Sequence, residues 1–220
     1  MSIFHKKGQV GKLEYGVYLP PGHKATGEPA PILCFLHGIR ECWRSSDKPE
    51  GKEGLMIEHG PLKGGKPQGG ANSFIVVVPQ VPCAQDEDER SFKGWVKYAE
   101  TVKEIVQMVR KEYNGNSQQI YLTGFSLGAN GVLDIGHRQR DFWAALWPVD
   151  PGKLPEDSTD LPIWVSAGPH FRAAVERQNR VPKAQPNRVY EDAGLDHVRT
   201  ATNAYSRPAI YKWLCPASDA

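Results

Sequence analysis

The chain is predicted to be an α/β protein: a mostly parallel sheet with helices on both faces and no cap domain. Short apolar runs alternate with helical patterns along its length, the signature of a parallel sheet covered by helices. The amphipathic stripe Val102, Ile105, Val106, Val109, Tyr113 marks one covering helix. A sharp strand-to-helix junction at Gly124-Phe125-Ser126-Leu127-Gly128 marks another.

Taken in order, Leu13 to Leu19 reads as a strand stopped by Pro20-Pro21, and Pro31 to Leu36 as a buried strand ending at His37-Gly38. Ser45 to Gly54 and Leu62 to Asn72 are rich in Gly and Lys and read as loops. Phe74 to Val78 is a third strand. A helix follows from about Lys97 to Glu112, then a strand at Gln119 to Thr123 and a helix from Leu127 to about Arg138. Phe142 to Val149, Leu161 to Ser166 and Arg188 to Glu191 supply the last strands, and Pro208 to Leu214 a closing helix. Strands flank both loops, so residues 1–220 read as one domain.

Composition narrows the function classes. The chain has 220 residues, 40% hydrophobic and 24% charged, with six Trp, eight Tyr and seven Phe, which excludes a disordered polypeptide. A net charge of +2 gives no electrostatic reason for a nucleic-acid or anionic-membrane partner. Mean hydropathy is −0.50, and no window approaches the roughly 18 apolar residues of a spanning helix. No secretory signal is visible at the N-terminus, so a cytoplasmic location is expected, with a secreted mature fragment as the alternative. Four cysteines, at 34, 42, 83 and 215, include no C-x-x-C, which argues against a zinc or redox site. Four free thiols are expected, with a Cys42–Cys83 bridge left open. No H-E-x-x-H or similar spacing suggests a metal. No cofactor is implied, and nothing assigns an oligomeric state.

The chemistry concentrates at three places. In G-x-S-x-G the chain turns so sharply that Ser126 is left exposed at the tip, and a side chain at either glycine would strike a neighbouring element. The strand Q-I-Y-L-T before it and the helical A-N-G-V-L-D-I after it make Ser126 a candidate nucleophile. His37-Gly38-Ile39 ends an apolar strand, where backbone N–H groups can face a developing oxyanion. Ile39 and Leu127 are the candidate donors, and His37 reads as a brace for that loop. The third place is His197, in a turn-like stretch after the last strand. The chain order nucleophile, acid, base makes it the candidate base.

These motifs extend into a wider resemblance. L-x-Y-x-x-Y-L-P-P at Leu13 to Pro21, F-L-H-G-x-x-E at Phe35 to Glu41, H-G-P at His59 to Pro61 and F-I-V-V-V-P-Q at Phe74 to Gln80 belong to it. So do I-Y-L-T-G-F-S-L-G at Ile120 to Gly128, F-W-A-A-L-W-P at Phe142 to Pro148, and His197 ahead of a P-x-x-x-x-W-L close at Pro208 to Leu214. The chain resembles the α/β-hydrolase superfamily, specifically the polyhydroxybutyrate-depolymerase-like esterases and predicted peptidases. The resemblance implies a serine hydrolase of short-chain or aryl carboxylic esters, acting on a small-molecule ester through an acyl-enzyme and needing no cofactor. A peptidase, thioesterase or feruloyl-type esterase with the same triad, or a non-catalytic binding protein of this fold, are the alternatives.

One departure stands out. In that family an aspartate follows the strand matching Leu161–Ala167, and here the chain reads Gly168-Pro169-His170. Asp150, at the end of the preceding strand, is the first candidate for the acid, with Glu176 and Asp192 as alternatives. Only about ten residues separate Asp150 from the next strand, too few for a helical cap. An open cleft is therefore expected, with Trp43, Trp95, Trp147 and His170 as candidate substrate contacts. Arg40 and Glu41 are expected to pair and brace the oxyanion turn. The acidic run Asp86 to Glu89 is expected on the same rim.

Overall fold

The computed structural model describes residues 2–44, 47–83, 94–156, 160–182 and 184–216. Its centre is an eight-stranded sheet in the order β1-β2-β4-β3-β5-β6-β7-β8. The strands are β1 (Lys6–Val10), β2 (Leu13–Tyr18), β3 (Ala30–Leu36), β4 (Ile75–Gln80), β5 (Gly115–Phe125), β6 (Ala145–Val149), β7 (Ile163–Ala167) and β8 (Arg188–Asp192). β1–β2 and β2–β4 pair antiparallel, and every later pair is parallel.

Among the described residues six α-helices cover the sheet: α1 (Pro49–Met56), α2 (Ala99–Glu112), α3 (Leu127–Arg138), α4 (Pro169–Gln178), α5 (His197–Tyr205) and α6 (Pro208–Leu214). The pleat of β3 and β4 divides the core between two faces. Ile32, Cys34, Leu36, Ile75 and Val77 join residues of α2, α3 and α4, while Leu33, Phe35, Val76 and Val78 join residues of α1, α5 and α6. In α2 the stripe Val102, Ile105, Val106, Val109 is buried, each side chain contributing about 1.5–3 kcal/mol. Among the described residues no helix is long and apolar enough to cross a membrane.

The helices α4 and α5 are additions to the sequence reading, and β1, α1 and the cysteines depart from it as well. β1, K-K-G-Q-V, is half exposed and pairs with β2 alone, so no buried apolar run announces it. α1 occupies much of the segment read as a loop. Its P-E-G-K-E-G-L-M has two glycines and no apolar stripe, and it is held through buried Met56. Four free thiols were expected, but Cys42 and Cys83 are joined in a disulfide, leaving Cys34 and Cys215 free. The bridge lies beside two backbone bonds, Trp43 N–H to Val81 O at 3.0 Å and Cys83 N–H to Trp43 O at 2.7 Å. It ties the turn after β3 to the end of β4.

Candidate active site

The strongest local constraint is at the β5–α3 junction. Ser126 has φ 57° and ψ −117°, a conformation that costs a non-glycine residue of order 1–3 kcal/mol and persists only where its surroundings enforce it. The flanking glycines show the enforcement. A Cβ at Gly128 would lie 1.9 Å from the Leu36 carbonyl oxygen, and one at Gly124 2.7 Å from the Gly128 carbonyl carbon. The Ser126 N–H donates to Val149 O at 3.0 Å, tying the turn to the neighbouring strand. Leu127 opens α3 and Ile39 opens a short 3-10 turn, positions whose N–H groups have no intrahelical acceptor. His37 braces the second of these turns. It is fully buried, its Nε2 accepts from Val81 N–H at 3.1 Å, and the Trp95 indole donates to its carbonyl at 3.0 Å. Burial holds its pKa below the ordinary value, against an opposing pull from Glu41.

Asp150 stands at the end of β6 with φ 49° and is fully buried. Its Oδ1 accepts from the Phe171 amide at 2.9 Å, so it satisfies an otherwise free N–H in the first turn of α4. Its Oδ2 lies 2.5 Å from His197 Nδ1. Gly168 is what makes room. A Cβ there would come within 2.5 Å of the Asp150 carboxyl carbon. The missing aspartate after β7 and the carboxylate reaching over from β6 are two sides of one packing arrangement. His197 is the first residue of α5, whose start is fixed by Asp196 accepting from Arg199 N–H at 2.8 Å. The alternatives for the acid lie elsewhere: Glu176 is exposed on α4, and Asp192 pairs with Arg172 at 3.0 Å on the surface.

Ser126, His197 and His170 line one open cleft of about 660 Å³ together with Gly38, Ile39 and Arg40. The His197 ring packs 4.4 Å from Phe125 and 3.9 Å from His170, centroid to centroid. His170 Nδ1 is 3.9 Å from Asp150 Oδ2, and burial, then the neighbouring His197, lower its pKa against the pull of Asp150. Asp150, His170 and His197 are the one group among the described residues whose donor atoms all lie close enough for a metal ion, within 4.8 Å of one another. That group shares its histidine and carboxylate with the Asp150–His197 pair.

The tryptophans do not reach this cleft. Trp95 and Trp147 are fully buried, Trp95 against His37 and Trp147 donating to Ser166 Oγ at 3.0 Å beneath α5 and α6. Trp43 packs its ring under the Lys52 ammonium at 3.8 Å and does not line the cleft. Sitting near a strand end does not decide whether a side chain points along the strand or into the layers beside it, and here Trp95 and Trp147 join the layers. The expected Arg40–Glu41 pair is also replaced. Glu41 is buried and its Oε1 lies 2.5 Å from His59 Nδ1. His59 lines the cleft and was not singled out from sequence, although H-G-P at His59 to Pro61 is one of the shared motifs. The Asp86 to Glu89 run lies outside the described residues.

An eight-stranded, mostly parallel sheet with a strained serine between β5 and α3 defines the α/β-hydrolase fold. Solved structures agree on the fold. A thermostable esterase superposes with a TM-score of 0.60 at 20% identity over 92% of this chain, which spans only 58% of that chain's length. The fluorophosphonate-binding serine hydrolase F of Staphylococcus aureus, with substrate bound, gives 0.57 at 15% identity over 95% of this chain and 96% of that one. An S-formylglutathione hydrolase from Agrobacterium tumefaciens gives 0.60 at 14% identity over 95% and 92%. No curated protein matches the chain. The family model described as "Putative esterase" matches residues 10–209, and the chain belongs to that family. That family is one of esterases.

Proposed function

We propose that the chain hydrolyses small carboxylic esters through Ser126, His197 and Asp150, with the Ile39 and Leu127 amides as the oxyanion hole. The carrying observation is the buried Asp150 carboxylate 2.5 Å from His197 Nδ1, in the cleft that also holds the strained Ser126. With the Nδ1 proton held by the carboxylate, Nε2 keeps its lone pair for the serine proton. Ser126 Oγ then bonds to the carbonyl carbon while its proton passes to Nε2, and the two amides hold the oxyanion. Collapse breaks the ester C–O bond, and the alcohol leaves with the proton from His197. Water repeats the sequence on the acyl-enzyme and frees the acid. Among the described residues Ser126 Oγ has no hydrogen-bond partner, and such catalytic bonds commonly tighten only when substrate binds.

An open cleft without a cap suits short acyl groups. Phe125, with its ring against His197, is an aromatic surface available to them. His170 lies at the mouth on the same wall and is the proposed contact for the leaving alcohol. The near-neutral charge supports a small-molecule substrate without nucleic-acid or membrane partners. For location, the Cys42–Cys83 bond favours an oxidising compartment over the cytoplasm expected from the sequence. The test is peptide mapping after exposure to a fluorophosphonate probe. A single adduct on Ser126, lost in His197→Ala, is expected. Folded protein with no adduct would favour the non-catalytic reading.

A further inference from the structure

Three groups able to ligate a metal ion arrive at one place from three elements. Asp150 directly follows β6, His170 falls in the first turn of α4 and His197 opens α5. Their donor atoms lie within 4.8 Å of one another, although no short sequence spacing brings them together. Asp150 Oδ2 is the common neighbour, 2.5 Å from His197 Nδ1 and 3.9 Å from His170 Nδ1. Asp150 Oδ1 is occupied by the Phe171 amide at 2.9 Å, so the carboxylate can ligate through Oδ2 alone. The two imidazoles pack against each other with centroids 3.9 Å apart. Among the described residues His170 has no other polar partner, so nothing ties its ring elsewhere. Side-chain exposure rises from 0% for Asp150 to 26% for His197 and 52% for His170. A buried anion lies behind two accessible imidazoles, and both of these line the open cleft.

Two imidazole nitrogens and one carboxylate oxygen suit Zn²⁺, whereas Mg²⁺ and Ca²⁺ take oxygen ligands. Tetrahedral zinc bonds of about 2.0–2.1 Å set neighbouring donors about 3.4 Å apart. The 2.5 Å contact would open and the 3.9 Å contact close by less than about 1 Å each, which side-chain rotation supplies. Water from the cleft fills the fourth position. Zinc at His197 Nδ1 leaves the neutral ring's one proton on Nε2: the Nδ1 proton is given up to water and another is taken up at Nε2, with no net change. That ring can no longer accept from Ser126. We propose that Asp150, His170 and His197 form a Zn²⁺ site whose occupancy reversibly switches off the nucleophile, with His170 as the ligand that proton transfer does not use. Zinc binding rests on the geometry of the three groups, and the switching-off rests on the proposed roles of Ser126 and His197.

The test uses the full chain without an affinity tag, stripped of metal by a chelator that is then removed. Calorimetric titration is expected to show saturable binding of Zn²⁺ and none of Mg²⁺. His170→Ala should weaken zinc at least about tenfold, since even a group outside the ligand sphere is worth roughly 10–100-fold in affinity. In the wild type, zinc should shift the imidazole NMR signals of His170 and His197, a readout that stands even if the variant fails to fold. At about ten times its dissociation constant, zinc should slow fluorophosphonate labelling of Ser126 about tenfold, and chelator should restore it. The same zinc concentration should slow His170→Ala at most about twofold relative to that variant's own zinc-free rate. No saturable zinc binding, NMR shifts confined to other histidines, or an equal zinc effect in His170→Ala overturns the inference. So does labelling that saturating zinc leaves unchanged. Zinc bound at His170 and His197 in a protein that never labels overturns the hydrolytic reading, and the switch with it, while the metal site stands.

Discussion

Replacing Asp150 by asparagine separates the acid from its alternatives. Oδ1 is already committed to the Phe171 amide at 2.9 Å, so the asparagine carbonyl must stay there. Its NH₂ then faces His197 Nδ1 across the present 2.5 Å contact and donates to it. That pins the imidazole proton on Nε2, where it cannot accept from Ser126. The same tautomer error in a well-studied serine protease lowers kcat about 10⁴-fold, or roughly 5.5 kcal/mol of barrier. We expect a fall of about 10³–10⁴-fold in kcat for 4-nitrophenyl acetate with KM changed little, and an equal slowing of fluorophosphonate labelling. Asp192→Asn is the reference, because that carboxylate pairs with Arg172 at the surface, where such pairs contribute at most about 1 kcal/mol to stability. It should stay within about twofold of wild type. Asp150→Asn retaining a tenth or more of wild-type kcat, or Asp192→Asn losing as much, would refute the assignment.

Gly168→Ala places a methyl 2.5 Å from the Asp150 carboxyl carbon, so kcat should fall at least about tenfold at a cost of about 1–3 kcal/mol in urea unfolding, with far-UV circular dichroism intact. Reducing the Cys42–Cys83 bridge, or Cys83→Ser, removes a cross-link across 41 positions. Chain entropy puts the loss near 4 kcal/mol as an upper figure, read as a lower denaturation midpoint. His37 titrates below its ordinary value because it is buried, so the unfolded chain takes up its proton first as pH falls. The stability it confers is complete above about pH 6.5 and declines below that, by at most about 1.4 kcal/mol per pH unit. Urea midpoints taken from pH 7.5 down to about 5.5 should fall less steeply in His37→Gln, whose amide oxygen replaces Nε2 as acceptor for Val81; parallel slopes would discount it.

What the sequence revealed follows from how each part is specified. β3, β4 and β5 are legible because strands buried on both faces must be continuous apolar runs. The serine turn is legible because only glycine fits at 124 and 128. Asp150 was a candidate from its strand end, but its preference over Glu176 and Asp192 rests on the space at Gly168 and the bond to Phe171, neither of which has a local pattern. α1 and α5 escaped because short helices carrying Gly or Thr are held by tertiary packing more than by propensity. His59 and Glu41 stand 18 residues apart with a helix between them, and only the fold shows that they meet. The tryptophans show the converse: their positions were legible and their directions were not.

Ser126 and Asp150 follow directly on two paired residues, Phe125 of β5 and Val149 of β6, which lie side by side in the sheet. The ladder between the strands therefore fixes the spacing of the proposed nucleophile and the proposed acid, whatever the lengths of the loops. Only His197 arrives by a route that leaves the sheet and returns. Insertions and deletions in the surface connection between α4 and β8 would then pass almost without effect on two of the three groups. Any damage would appear as a misplaced imidazole.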